Sequence, residues 1–194
     1  MGIRKRAVRG CTALVSSVVI ALPMVAAVAP AKAADAAAQP GGQVVISEIA
    51  NGGPGGYHDN FIEVANWGDE PVDVTGWKLF RCTGTGSVAS APQNTLQGTI
   101  GAGDRWVFAR ESTQSTIADT DVKQRYTTSL ANESYGALLR DSSGEDVDAV
   151  AVQFPGTANQ ACGEGTVLAN TTDSAAGESF QRTQDTDDNA HRFA

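Results

Sequence analysis

Histidine is scarce in this chain, with two in 194 residues, beside three cysteines and three tryptophans. Catalytic triads and multi-histidine metal centres therefore have little material to be built from. The usual motifs are missing too: there is no Gly-x-Ser-x-Gly elbow, no His-Glu-x-x-His pair and no P-loop. Charged residues make up 19% and aromatics 6%, with 21 glycines and 7 prolines, which excludes a coiled coil and points to a chain of many turns. Basic residues are few. Residues 1–33 hold five of the 14 (Arg4, Lys5, Arg6, Arg9, Lys32) and no acid, which leaves nine basic against 22 acidic residues, a net of -13, for 34–194. So acidic a surface repels a phosphate backbone, and nucleic acid is a poor partner for it. The length suits one domain with tails.

What is present begins with an export signal. Four positive charges within residues 1–9 precede an apolar run from Thr12 to Leu22, and Ala31-Lys32-Ala33 offers small residues on either side of a lysine. This reads as a secretory signal peptide cut near Ala33, with a flexible lead-in over 34–42 and a folded domain over 43–194. An uncleaved anchor is the competing reading, but Ser16, Ser17 and Pro23 interrupt the 18-residue stretch that would span. No second apolar span follows, so no membrane contact is expected once the signal is removed. Cys11 lies before the apolar run and leaves with the signal. Cys82 and Cys162 remain, and an even count in an exported chain implies a disulfide. A metal site at these cysteines fails on ligand count, since His58 and His191 lie near neither in sequence. No cofactor is implied.

After Gly42 no window of a dozen residues sustains helical periodicity. Instead short β-branched or aromatic runs, bounded by Gly, Pro, Asn and Asp, fall at 44–49, 61–65, 72–74, 77–82, 95–100, 106–108, 136–139, 147–152 and 179–182. Many short strands in about 150 residues predict an all-β sandwich or barrel. The polar stretch 112–129 is the least strand-like and reads as a long loop or a single helical turn. Alternation puts Ile62 and Val64 on a core face and Glu63 on the opposite one. In Asp73-Val74-Thr75-Gly76-Trp77, the Asp73 carboxylate can accept from the following backbone N–H groups, Gly76 can take a positive φ, and Trp77 can then turn into the core. These are structural tasks.

The ordered segments Val45-Ile46-Ser47-Glu48-Ile49, Phe61-Ile62-Glu63-Val64-Ala65-Asn66 and 68–79, followed by the glycine turn and strand 101–108, resemble a lamin tail domain. Ser179-Phe180-Gln181-Arg182-Thr183 and residues 185–190 resemble the ending of secreted bacterial members. The resemblance implies an immunoglobulin-like β-sandwich serving as a non-catalytic binding or structural module. Its partner would be an extracellular protein or a cell-envelope component that the sequence does not name, and oligomeric state is not legible.

Two polar clusters keep alternatives open. His58-Asp59-Asn60, with Glu63 beyond it, follows the tip Gly52-Gly53-Pro54-Gly55-Gly56 and would have to serve a metal-dependent hydrolase or nuclease. It lacks partners in sequence and reads first as a solvated turn. Asp185-x-Asp187-x-Asn189 matches the first three ligand positions of a calcium loop. Ala190 stands where that loop needs glycine and its twelfth position falls beyond Ala194, which leaves only a looser calcium site in an adhesion module, or an Asp/Asn-rich turn. The remaining acids, among them Asp119, Asp121, Glu145, Asp146 and Asp148, read as solvated faces.

Overall fold

The computed structural model describes residues 44–111, 117–132, 134–153, 162–170, 177–185, 188–191 and 193, all within the compact unit Asp35–Ala194. The signal, its cleavage site and the lead-in lie outside the described residues. Twelve strands are described: β1 Val44–Ala50, β2 Phe61–Asn66, β3 Val72–Asp73, β4 Lys78–Arg81, β5 Asn94–Thr95, β6 Thr99–Ile100, β7 Arg105–Arg110, β8 Val122–Tyr126, β9 Tyr135–Arg140, β10 Asp146–Gln153, β11 Leu168–Ala169 and β12 Phe180–Gln181.

Two five-stranded sheets, ordered β12-β1-β2-β7-β8 and β11-β10-β9-β4-β5, pack as a sandwich, with β3 and β6 forming a small third ribbon. The pairings are antiparallel except β7 with β8 and β10 with β11. Alternation explains the packing. Ile62 and Val64 of β2, Phe108 of β7, Leu79 of β4, Tyr135, Ala137 and Leu139 of β9, and Val150 and Val152 of β10 interdigitate in one buried cluster. On the outer side of the second sheet Phe80, Leu138 and Ala149 make a smaller cluster under Val88. Glu63 takes the face opposite Ile62 and Val64, yet it too is buried, accepting from Ser47 Oγ at 2.8 Å and facing Arg105 Nη1 at 3.4 Å.

Two sequence expectations are corrected. Residues 112–129 are not only loop and turn: after a 3-10 turn at Asp119–Asp121 they supply the edge strand β8. Its polarity hid it, because an edge strand is kept from pairing further by charges such as Lys123 and Arg125. The run 95–100 is two strands rather than one, β5 pairing with β4 and β6 with β3, with Gly98 at φ 102° between them.

Cys82, which follows β4, is joined to Cys162, with Cα atoms 6.1 Å apart. Both cysteines are buried. At the turn after β3, Asp73 Oδ1 accepts from Thr75 N at 2.9 Å, Gly76 has φ 83°, and Trp77 packs half-buried against the main cluster. The Thr75 hydroxyl, together with its backbone N–H, holds the Asp73 carboxyl below the ordinary range.

Candidate functional site: the glycine loop and a buried arginine centre

Antiparallel pairing of β1, β2 and β7, with β8 parallel to β7, brings the end of β1, the start of β2 and the ends of β7 and β8 to one end of the sandwich. The glycine loop stands there. Gly53 and Gly56 exchange backbone hydrogen bonds at 3.1 and 2.7 Å, and the Asp59 carboxylate turns inward to accept from Gly55 N. A Cβ on Gly53 would meet Asp59 Cβ at 2.7 Å, so the buried acid can fold under the loop only where the chain has a glycine. Asn60 ties the base. Its Nδ2 donates to Tyr57 O, while its Oδ1 accepts from Tyr126 Oη at 2.8 Å. Burial pushes the Tyr126 phenol above its ordinary value.

What this rigid loop presents is Tyr57, whose exposure of 53% sets it apart from the other large hydrophobic side chains described. The His58 ring leans on it at 4.1 Å between centroids, and the Arg110 guanidinium lies 5.0 Å from its centre. Arg110 Nη1 meets His58 Nδ1 at 2.7 Å. Arginine can only donate, so Nδ1 accepts, and that nitrogen is both occupied and faced by a fixed positive charge that repels a metal ion. The solvated, partnerless turn expected from sequence is therefore corrected. Asp59 and Asn60 are buried, His58 is bonded to Arg110, and Glu63 is turned to Ser47 and Arg105.

The second concentration of charge was not anticipated. Arg182, directly after β12, lies in the interior with its side chain 1% exposed. Its Nε donates to Ile46 O of β1 at 3.0 Å, its Nη2 to Asp148 of β10 at 2.7 Å and its Nη1 to Asp185 at 2.6 Å, and Phe193 stacks on it at 4.9 Å. Glu164 Oε2 stands 3.9 Å from Nη1. One guanidinium thus bridges the two sheets and faces three carboxylates. Bulges in β1 between Ile46 and Glu48 and in β10 between Asp146 and Asp148 shift the pleat at this point. Burial raises the Asp148 carboxyl well above the ordinary range against the opposing pull of Arg182, and burial raises Glu164 as well.

This centre corrects two further expectations. Asp148 is no solvated face, since it accepts from Ile46 N and is buried. The calcium-loop spacing does not gather a ligand set: Asp185 is held by Arg182, while Asn189 Oδ1 accepts from Ala151 N at 3.1 Å and from Glu164 N at 3.2 Å. Asp187 lies outside the described residues. Asp148, Glu164 and Asp185 do bring carboxylate oxygens within 4.8 Å of one another, but Arg182 stands among them as the cation. A signal for the centre was available: alternation puts Arg182 on the same face as Phe180, and Asp148 on the same face as Val150 and Val152.

Two packed sheets and a buried bridge define an immunoglobulin-like β-sandwich. The family model for the Lamin Tail Domain matches residues 37–153, and the chain belongs to that family, one of non-enzymatic immunoglobulin-like domains. No curated protein matches the chain. The matched segment stops before Cys162, Glu164, Arg182, Asp185 and Asn189, so the disulfide and the arginine centre each join a matched residue to one beyond the match.

Proposed function

We propose that the chain is a secreted, non-catalytic module that binds or links an extracellular protein or a cell-envelope component through the end of the sandwich where the glycine loop stands. The observation that carries this reading is Tyr57, half-exposed on a loop whose polar groups are spent on holding its own backbone. A rigid aromatic tip gives contact area at little entropic cost, which is what a binding loop needs. Export is supported by the basic start, the apolar run and the pairing of the two cysteines left after cleavage. Against catalysis stand the engagement of His58, Asp59 and Asp185 in internal bonds. Among the described residues no helix is long and apolar enough to cross a membrane.

The test is capture from culture fluid and envelope fractions with the purified exported protein, compared with Tyr57→Ala. Loss of about 2 kcal/mol of binding, near thirtyfold, with an unchanged melting temperature is expected if Tyr57 is an anchor. Equal capture by both proteins would remove the loop from the reading. Metal-dependent hydrolysis abolished in His58→Ala would replace the reading with an enzymatic one.

A further inference from the structure

The same end of the sandwich carries an open groove of about 330 Å³ between the connection that follows β4 and the two residues that follow β8. Its polar lining is Arg81, Thr83, Ser90, Gln93, Thr127 and Thr128. Gln93 Nε2 donates to Thr128 O at 2.5 Å and fastens the two walls together. The volume is at the lower end of the range for small-molecule sites.

Arg81 is what distinguishes the groove. The other described arginines are all engaged: Arg105 with Glu63, Arg110 with His58, Arg125 with Asp119, Arg140 with Asp146 and Arg182 with Asp148. Arg81 is half-buried, and no ion pair or side-chain hydrogen bond joins its guanidinium to another described residue. This occurs in a domain where acids outnumber bases more than two to one. Among the described residues the lining holds no carboxylate. A half-buried guanidinium presents a planar fork of donors that matches a carboxylate or phosphate, and four hydroxyl-bearing neighbours suit a hydroxylated ligand.

We propose that this groove is a binding site for an oxyanion carried on a small hydroxylated molecule, such as an acidic or phosphorylated sugar, with Arg81 as the charge-recognising group. The site goes beyond the partner-binding reading and does not depend on Tyr57.

The experiment titrates the isotopically labelled full chain with glucuronate, glucose 6-phosphate, inorganic phosphate and glucose at low ionic strength, following backbone amides by nuclear magnetic resonance. Glucuronate or glucose 6-phosphate should shift the amides of Ala89, Gln93, Thr127 and Thr128, and glucose should bind about tenfold more weakly or worse. The better of the two acidic sugars identifies the source of the oxyanion, and inorganic phosphate binding as well as glucose 6-phosphate would overturn the hydroxylated part of the proposal. Arg81→Gln should lose about tenfold or more in affinity, with Arg81→Lys recovering part of it. Because no described residue pairs with the Arg81 guanidinium, both variants should melt with the parent protein. If either does not, raised salt on the parent chain supplies the same answer, since binding through Arg81 must weaken as charge is screened. No amide shift with any anion at about 10 mM, or equal affinity in Arg81→Gln, overturns the proposal. Loss of binding in Tyr57→Ala would not bear on it, which keeps the two readings separable.

Discussion

The two ends of the sandwich are built on different rules. At one end the chain reverses in tight turns closed by exposed acids: Asp73 caps the turn to Trp77, and Asp141 Oδ1 accepts from Ser143 N, Gly144 N and Glu145 N at 2.8 to 3.0 Å. Asn66 ties the end of β2 to Ile100 O and to Gly68 N in the same manner. At the other end the connections are long, and their order comes from internal ties: Asp59 under the glycine loop, Asn60 against Tyr126, Gln93 across to Thr128, and the disulfide. Turns held by neighbours in sequence are local and leave no room for a ligand. Loops held by distant residues leave surfaces between them, and there the exposed tyrosine and the groove occur. The contrast teaches where variation would change binding and where it would change only stability.

The largest effect is expected on cutting the tie between the sheets, Arg182. Arg182→Leu should cost about 3 to 5 kcal/mol in urea unfolding, because it leaves Asp148 and Asp185 buried beside each other without their cation. The pH profile follows from the direction in which Asp148 is moved. A carboxyl raised in the folded state stabilises it fully below its ordinary range, and that contribution is lost as pH climbs through the raised value. Asp148→Asn should therefore flatten the decline of stability toward high pH, and an unchanged profile would refute the upward shift of Asp148.

The disulfide sharpens the contrast, since it belongs to the end with long connections. Replacing both cysteines with alanine should cost about 2 to 5 kcal/mol for a loop of 80 residues. Hydrogen exchange should accelerate near Cys82 and Gly136 while the amides of Ser143 and Gly144 keep their protection. Uniform acceleration would mean that the two ends share one unit of opening.

The smallest effect is expected at the tight turns. Asp141→Asn should lower the melting point less than either change above, and only at neutral pH. The Ser143 hydroxyl and the backbone donors hold the Asp141 carboxyl below its usual range, so its contribution is present above the ordinary value and vanishes as pH falls through the lowered one. A difference between Asp141→Asn and parent that persists in strong acid would refute the capping role.

Much of this architecture is legible in the residues. Alternation in 61–65 and 147–152 announces the core strands, and Asp73-Val74-Thr75-Gly76-Trp77 describes its own turn. Edge strand β8 was illegible because solvent on one side removes the apolar pattern that marks a strand. β11 escaped for another reason: two residues, Leu168–Ala169, carry no periodicity at all. Of the polar clusters, sequence singled out the glycine loop but not its bonding, since nothing local says that Arg110, 52 positions away, meets His58. The arginine centre joins residues 34 positions apart and more, and only the rule that a charge on a core face must find an opposite charge hints at it. Arg81 gives no sign in sequence, because what marks it is that no described acid pairs with it in space.

The antiparallel seating of β12 on β1 has a mechanical consequence. Glu48 faces Gln181 and Ile49 faces Phe180, and Arg182 N continues the ladder to Ser47 O. A pull between the chain ahead of Val44 and the chain beyond Arg182 thus acts on the same end of that strand pair. It opens the pair as a zipper rather than shearing it, so bonds carry the load one at a time and the guanidinium clasp takes it before the strand ladder does. The 80-residue loop closed by Cys82 and Cys162 is withheld from extension throughout. Under tension the module would yield at its edge and lengthen by its flanks alone, while the cross-linked heart of the sandwich stays the same size until the sulfurs are reduced.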